Sequence, residues 1–208
     1  MDGETELDIF RRTPLRDVPG ANWSYSSLGY VLLAHIVQRA ASRPYATFLA
    51  QEVFGPLGMT RTFAGNPHFS MARDEPLAAG HKTGSPVPSF ELDVVNSGTG
   101  DVWSTASDLS LWNSALDSGT FLTAASRQAM LTAHAAVGGP GVDRYGYGWF
   151  IGHRFGRRIL YHPGDNLGLK ALNAWFPDEN LRVIVLSNEE TTDVEPLVDE
   201  LLSSGLGS

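Results

Sequence analysis

At Gly138-Gly139-Pro140-Gly141 the sequence changes character, and that switch narrows the folds open to it. After it, Tyr145 to Ile151, Arg157 to His162, Gly168 to Phe176 and Leu181 to Ser187 are short runs rich in aromatic and β-branched residues, the composition of strands. Pro177-Asp178-Glu179-Asn180 suits a type I turn and makes the last two runs a hairpin. Val194, Leu197, Val198, Leu201 and Leu202 then recur at helical spacing, as the stripe of a terminal helix. Before the switch the pattern is helical. Residues up to Pro19 allow a short helix stopped at Pro14. Leu28 to Ala40 is nearly all apolar, with no alternation and no proline, which reads as a helix buried on most sides. Pro44, at a first helical position, opens a second helix through Phe48, Leu49 and Val53, ended by Gly55-Pro56-Leu57-Gly58. Thr105-x-x-Asp108 is a capping-box variant that starts a helix carrying Leu109, Trp112, Ala115 and Leu116 on one side. Thr123 caps another, ending near His134. Helices first, then antiparallel strands closed by a helix, make an α+β arrangement: residues 1–137 mainly helical and 138–208 mainly strand, in one structural unit.

The 208 residues are enough for a buried core, and 42% hydrophobic against 18% charged residues excludes a disordered chain. A net charge of -8 repels phosphate backbones, so no nucleic-acid partner is expected. Without cysteine there is no disulfide framework, thiolate metal site or Cys nucleophile. The six histidines show no HExxH-type spacing and no glycine-rich phosphate loop follows a strand, so neither metal nor cofactor is expected. The start, Met1-Asp-Gly-Glu-Thr-Glu, is acidic where a signal peptide is basic and then apolar, and the longest apolar stretch, Tyr30 to Ala34, is too short to span a bilayer. As given, the chain reads as cytoplasmic, with no membrane partner. From Ala64 to Gly100 it is rich in Gly, Pro and Ser, a long connection of the sort that lines or covers a site.

Five motifs carry a resemblance. Pro19-Gly20, then Tyr25-Ser26-Ser27-Leu28-Gly29-Tyr30 with Leu32-Leu33, resembles the "PG…YSNxGYxLL" segment of the serine β-lactamases, penicillin-binding proteins and related family VIII-type carboxylesterases. Pro56-Leu57-Gly58-Met59 is similar to their "PLGM" turn, and Ser104-Thr105-Ala106-Ser107-Asp108-Leu109 to their "STAxDL" helix start. Tyr145-Gly146-Tyr147-Gly148-Trp149 resembles the "YGxGW" strand, and His162-Pro163-Gly164 stands where the family has "HxG" or "KTG".

The resemblance implies a β-lactamase/transpeptidase-like fold and acyl transfer, in which a serine attacks a carbonyl and an acyl-enzyme is then released. Its serine and lysine share an S-x-x-K turn. Here the only lysines are Lys82 and Lys170, preceded three residues earlier by Ala79 and Leu167, so the motif is absent. What stands in the sequence resembles the C-terminal two-thirds of such an enzyme, without its N-terminal strands and nucleophile helix.

The resemblance makes Tyr25, Ser27 and His162 the catalytic candidates and Gly164, Asp165 and Asn166 the substrate-binding ones. Tyr25 would be the second-motif base. A phenol with pKa near ~10 is a poor base unless cations lower it, so in this chain alone Tyr25 stays protonated and reads as a hydrogen-bonded core tyrosine, the base role requiring a lysine from elsewhere. Ser27 replaces the family's Asn, which weakens a β-lactam substrate relative to an ester; it also reads as the cap of the following helix. His162 carries charge part of the time near neutral pH, or is simply a strand-end histidine before a Pro-Gly turn. His81-Lys82-Thr83-Gly84 falls on no expected strand and reads as a coincidental match, Lys82 being a solvated loop charge. Asp193, Glu195, Asp199 and Glu200 read as a solvated helix face.

Three functions follow: a β-lactamase-related hydrolase acting on an ester, amide or β-lactam with its nucleophile outside this chain, an inactive homologue that keeps the cleft and binds a small acyl or peptide ligand, or a structural or regulatory subunit with no ligand. Leu181 to Leu186 would be an open hydrophobic edge, so a homo-oligomer, a strand swap or a complementing N-terminal fragment is expected.

Overall fold

The computed structural model describes Asp8 and residues 10–65, 77–87, 97–138 and 142–204. The helices come first. Helix α1 (Ser27–Ala41) is capped by Ser26, whose side chain accepts from Gly29 N, and ends at Ser42 in the left-handed conformation. Helix α2 (Tyr45–Leu49) follows Pro44, which stands one place before the helix and not inside it, and runs on as a π-helical turn (Ala50–Phe54). Helices α3 (Ala106–Ser118) and α4 (Ala124–Leu131) start where the sequence marks them, with the Thr105 and Thr123 side chains accepting from Asp108 N and Ser126 N. Two small ribbons lie between: β1 (Phe63–Ala64) pairs with β4 (Val102–Trp103), and β2 (His81–Lys82) with β3 (Ser85–Pro86).

The second half is an antiparallel meander of β5 (Ala135–Ala136), β6 (Val142–Tyr145), β7 (Phe150–Arg154), β8 (Arg157–Asn166), β9 (Leu169–Phe176) and β10 (Leu181–Ser187), each paired to the next. Helix α5 (Glu195–Ser203) closes it. The period-two alternation of the strands divides the core. Ile159, Tyr161, Leu172, Ala174, Phe176 and Val183 face α5 and bury Val194, Val198 and Leu202 beneath them. Leu160 and Trp175, on the opposite face, join Trp149, Ile151 and Leu116 of α3. The sheet therefore lies between α5 and the helical region, which makes the fold the α+β arrangement expected.

Four local expectations change. Tyr145 to Ile151 is not one strand: Gly148, at φ +81, turns the chain between β6 and β7, and a side chain at Gly146 would meet Met130 O at 2.5 Å. Helix α1 is not buried on most sides, since only Val31 and Ala34 are buried while Leu28, Leu33 and Ile36 stay about half exposed. The acidic face of α5 is not simply solvated, because Arg154 of β7 binds both Glu195 and Asp199. Lys82 is no free loop charge: it lies on β2 and pairs with Glu190 at 2.9 Å. The backbone N–H groups of Thr83 and Gly84 donate to the Glu189 carboxylate, and hydrogen bonds from Gly84 first, then Thr191, hold its pKa down to about 2. The 81–84 turn is thus fastened to the segment after β10.

Candidate active site

The long strand β8 has β7 beside only the first half of its length. Arg157 to Tyr161 pair with β7, while His162 to Asn166 pair with β9 alone. Pro163 is tolerated there because it has no N–H for a second ladder. This half-edge forms one wall of a cleft of about 1090 Å³. Opposite it stand the start of α1, with Tyr25, Ser27 and Tyr30, and the Gly98–Gly100 loop. The cleft brings together all six residues singled out from the sequence: Tyr25, Ser27, His162, Gly164, Asp165 and Asn166.

Their roles differ from the sequence reading in several places. Ser26 holds the capping position, so Ser27 in the first turn is left to face the cleft. Tyr25 is no core tyrosine, being 53% exposed on the cleft wall. Its pKa is raised by burial and by Tyr30, the opposite of what a phenolate base needs. His162 is followed by continuous strand and not by a turn. Its Nδ1 lies 2.6 Å from Pro163 O and its Nε2 3.2 Å from the Tyr145 hydroxyl. A carbonyl oxygen only accepts, so Nδ1 carries the proton and Nε2 accepts from Tyr145. Burial pushes the His162 pKa below 6.5, so the ring is neutral at pH 7.

Both nitrogens of His162 are thus held by the protein. The imidazole offers the cleft its face, with the Tyr25 ring centroid 6.0 Å away. Phe150 and Trp23 pack around Tyr145, at 4.8 and 5.4 Å between ring centroids, and fix it from behind. Tyr145 itself is buried and its pKa is raised by desolvation and by Tyr30. Across the ladder from Gly164, Ala171 Cβ would stand 3.2 Å from any added Cβ, so a side chain there would be crowded.

Asp165 forms an ion pair with Lys170, its register partner on β9, at 2.5 Å. Asn166 accepts from Leu167 N and donates to Gly100 O at 3.4 Å, which ties the half-edge to the opposite loop. Sequence reasoning missed Tyr30, Tyr145 and Lys170. The first two sit inside quoted motifs, whereas Lys170 faces Asp165 only through the register of β8 and β9.

The "STAxDL" segment plays a structural part. The Asp108 carboxylate, 5% exposed, accepts from Arg61 N at 2.8 Å and Thr62 Oγ1 at 2.7 Å, which locks the turn after Met59 to the start of α3. Among the described residues no group of three or more His, Asp or Glu could hold a metal ion, and no helix is long and apolar enough to cross a membrane.

A family model described as Beta-lactamase matches residues 2–203. Penicillin-binding protein 4* of Bacillus subtilis (strain 168) is 32% identical over 195 residues, an alignment covering 86% of this chain and 43% of that protein. The crystal structure of a penicillin-binding protein from Bacillus halodurans superposes with a TM-score of 0.81 at 25% identity, over 95% of this chain and 62% of that one. A D-amino acid amidase from Ochrobactrum anthropi SV3, complexed with L-phenylalanine amide, has the same fold, with a TM-score of 0.75 at 23% identity over 95% and 61% of the two chains. The chain thus spans less than half the length of the curated relatives it matches.

Proposed function

The chain belongs to the beta-lactamase family, and from that premise we propose that it supplies the substrate-binding walls of a serine hydrolase that transfers an acyl group from an ester, amide or β-lactam. The observation that carries this reading is the convergence of Tyr25, Ser27 and His162-Pro163-Gly164 on one cleft from two separate elements. The attacking serine and its lysine come, in this reading, from residues outside these 208, because neither Lys82 nor Lys170 has a serine three residues before it. An acyl substrate lies along the half-edge His162 to Asn166, where the backbone faces the cleft without a β7 partner. Relatives named for penicillin and for D-amino acid amides make those two substrate classes the first to try.

The chemistry assigned to the chain's own residues is modest. Tyr25 holds its proton until a cation beside it lowers its pKa, and it then accepts the serine proton. The Tyr145–His162–Pro163 relay keeps the neighbouring ring rigid and uncharged, so that ring does not compete for the substrate carbonyl.

A second reading is favoured by the same electrostatics. With Tyr25 raised and His162 neutral, the chain by itself binds an acyl ligand without turning it over. A fluorophosphonate probe tests the first reading. It is expected to leave the purified chain unlabelled and to label a serine of an added S-x-x-K segment. Labelling of a serine within these 208 residues would overturn the assignment.

A further inference from the structure

A second cavity, of about 660 Å³, lies between α4 and the ends of β8 and β9 that point away from His162. Ala124, Arg127, Gln128 and Leu131 of α4 recur at i, i+3, i+4 and i+7, the spacing that normally faces a core, yet all four line this cavity and no residue of α4 is buried. Opposite them is Trp175, 6% exposed, whose Nε1 donor is buried with no acceptor among the described residues. Two guanidinium groups cover its ring, Arg182 at 5.2 Å and Arg127 at 5.8 Å from the centroid.

Charge singles out the same place. Asp117 is shared, its carboxylate 3.3 Å from Arg127 Nη2 and 2.8 Å from Arg182 Nη2. Arg158 lines the cavity, exposed, with no ion pair or hydrogen bond among the described side chains. Counting the lining alone, Arg127 and Arg158 against Asp117 leave one positive charge, in a chain whose net charge is -8. One monoanion neutralises it, and the planar guanidinium fork suits a carboxylate. Leu131 and Leu160 add apolar wall.

We propose that this cavity is a binding site for a small organic carboxylate, its oxygens on Arg158 and Arg127 and its apolar body against Leu131, Leu160 and the Trp175 ring. It is separate from the cleft at His162 and does not depend on any hydrolytic activity there.

The test follows the Trp175 indole N–H resonance of the ¹⁵N-labelled chain, assigned by its loss in Trp175→Phe. Benzoate, inorganic phosphate and chloride are titrated at constant ionic strength. Benzoate is expected to shift that resonance saturably, and Arg158→Gln to weaken binding by about tenfold or more, the loss of one charge-assisted hydrogen bond. Because Arg158 is exposed, an unchanged indole spectrum of the variant before titration shows that its fold is kept. No saturable shift, or an Arg158→Gln titration matching the parent, overturns the proposal. Phosphate binding as tightly as benzoate overturns the choice of a carboxylate with an apolar body.

Discussion

His162 shows how a residue type named from sequence acquires its state from neighbours. The imidazole is neutral because it is partly buried, and the Tyr145 hydroxyl donates to its free nitrogen, a bond that the charged ring could not accept. The unfolded chain binds that proton more readily than the folded one. Stability from this group is therefore present above pH 6.5 and is lost as pH falls toward the lower folded pKa. By NMR titration His162 is expected to protonate below 6.5, and Tyr145→Phe to move it upward by removing the donor. A His162 that titrates at or above 6.5 in the parent would contradict this. Tyr25, Ser27 and His162 could be read from the sequence because motif spacing carries them. Tyr145 and Lys170 could not, because their contacts arise from strand register, Tyr145 through β6–β7–β8 and Lys170 through Asp165 on β8.

At the level of elements, caps and turns were the most legible. Thr105 and Thr123 cap where expected, and β10 spans the same residues, Leu181–Ser187, because these depend on adjacent residues alone. Burial was less legible. The face of α1 that holds Leu28 and Ile36 looks like core by composition, but which side is covered depends on segments distant in sequence. The same holds for Asn113, whose polar side chain gives no sign in the sequence of being 4% exposed. It exchanges two hydrogen bonds with Asn173, at 2.8 and 2.9 Å, joining α3 to β9 directly opposite His162. Asn113→Ala leaves the Asn173 amide unpaired and is expected to cost about 1–3 kcal/mol. In a double-mutant cycle by urea denaturation, Asn113→Ala with Asn173→Ala is expected to cost less than the sum of the singles. Additivity would show that the pair is not coupled.

Among the described residues of the whole molecule, three elements carry exposed apolar side chains beside an unpaired edge or an open face. Strand β10 pairs only with β9 among the described residues and carries Leu186, 44% exposed. On α5, Leu197 and Leu201 are 40% and 38% exposed, and α1 adds its open face. We propose that a second copy of the chain covers β10, since folded proteins rarely leave such an edge bare. Light scattering after size exclusion is expected to show concentration-dependent dimers or larger species. Leu186→Lys, which places a charge on that edge, is expected to shift them toward monomer. A parent that stays monomeric at high concentration would exclude the second copy. The consecutive order of the six strands has a consequence for biogenesis. Every ladder forms between neighbours joined by a short link, so the meander can zip up hairpin by hairpin with little loop-closure entropy. On a ribosome helices α1 to α4 emerge before the meander and must wait for it, which makes the unfinished nascent chain a stage open to chaperone capture.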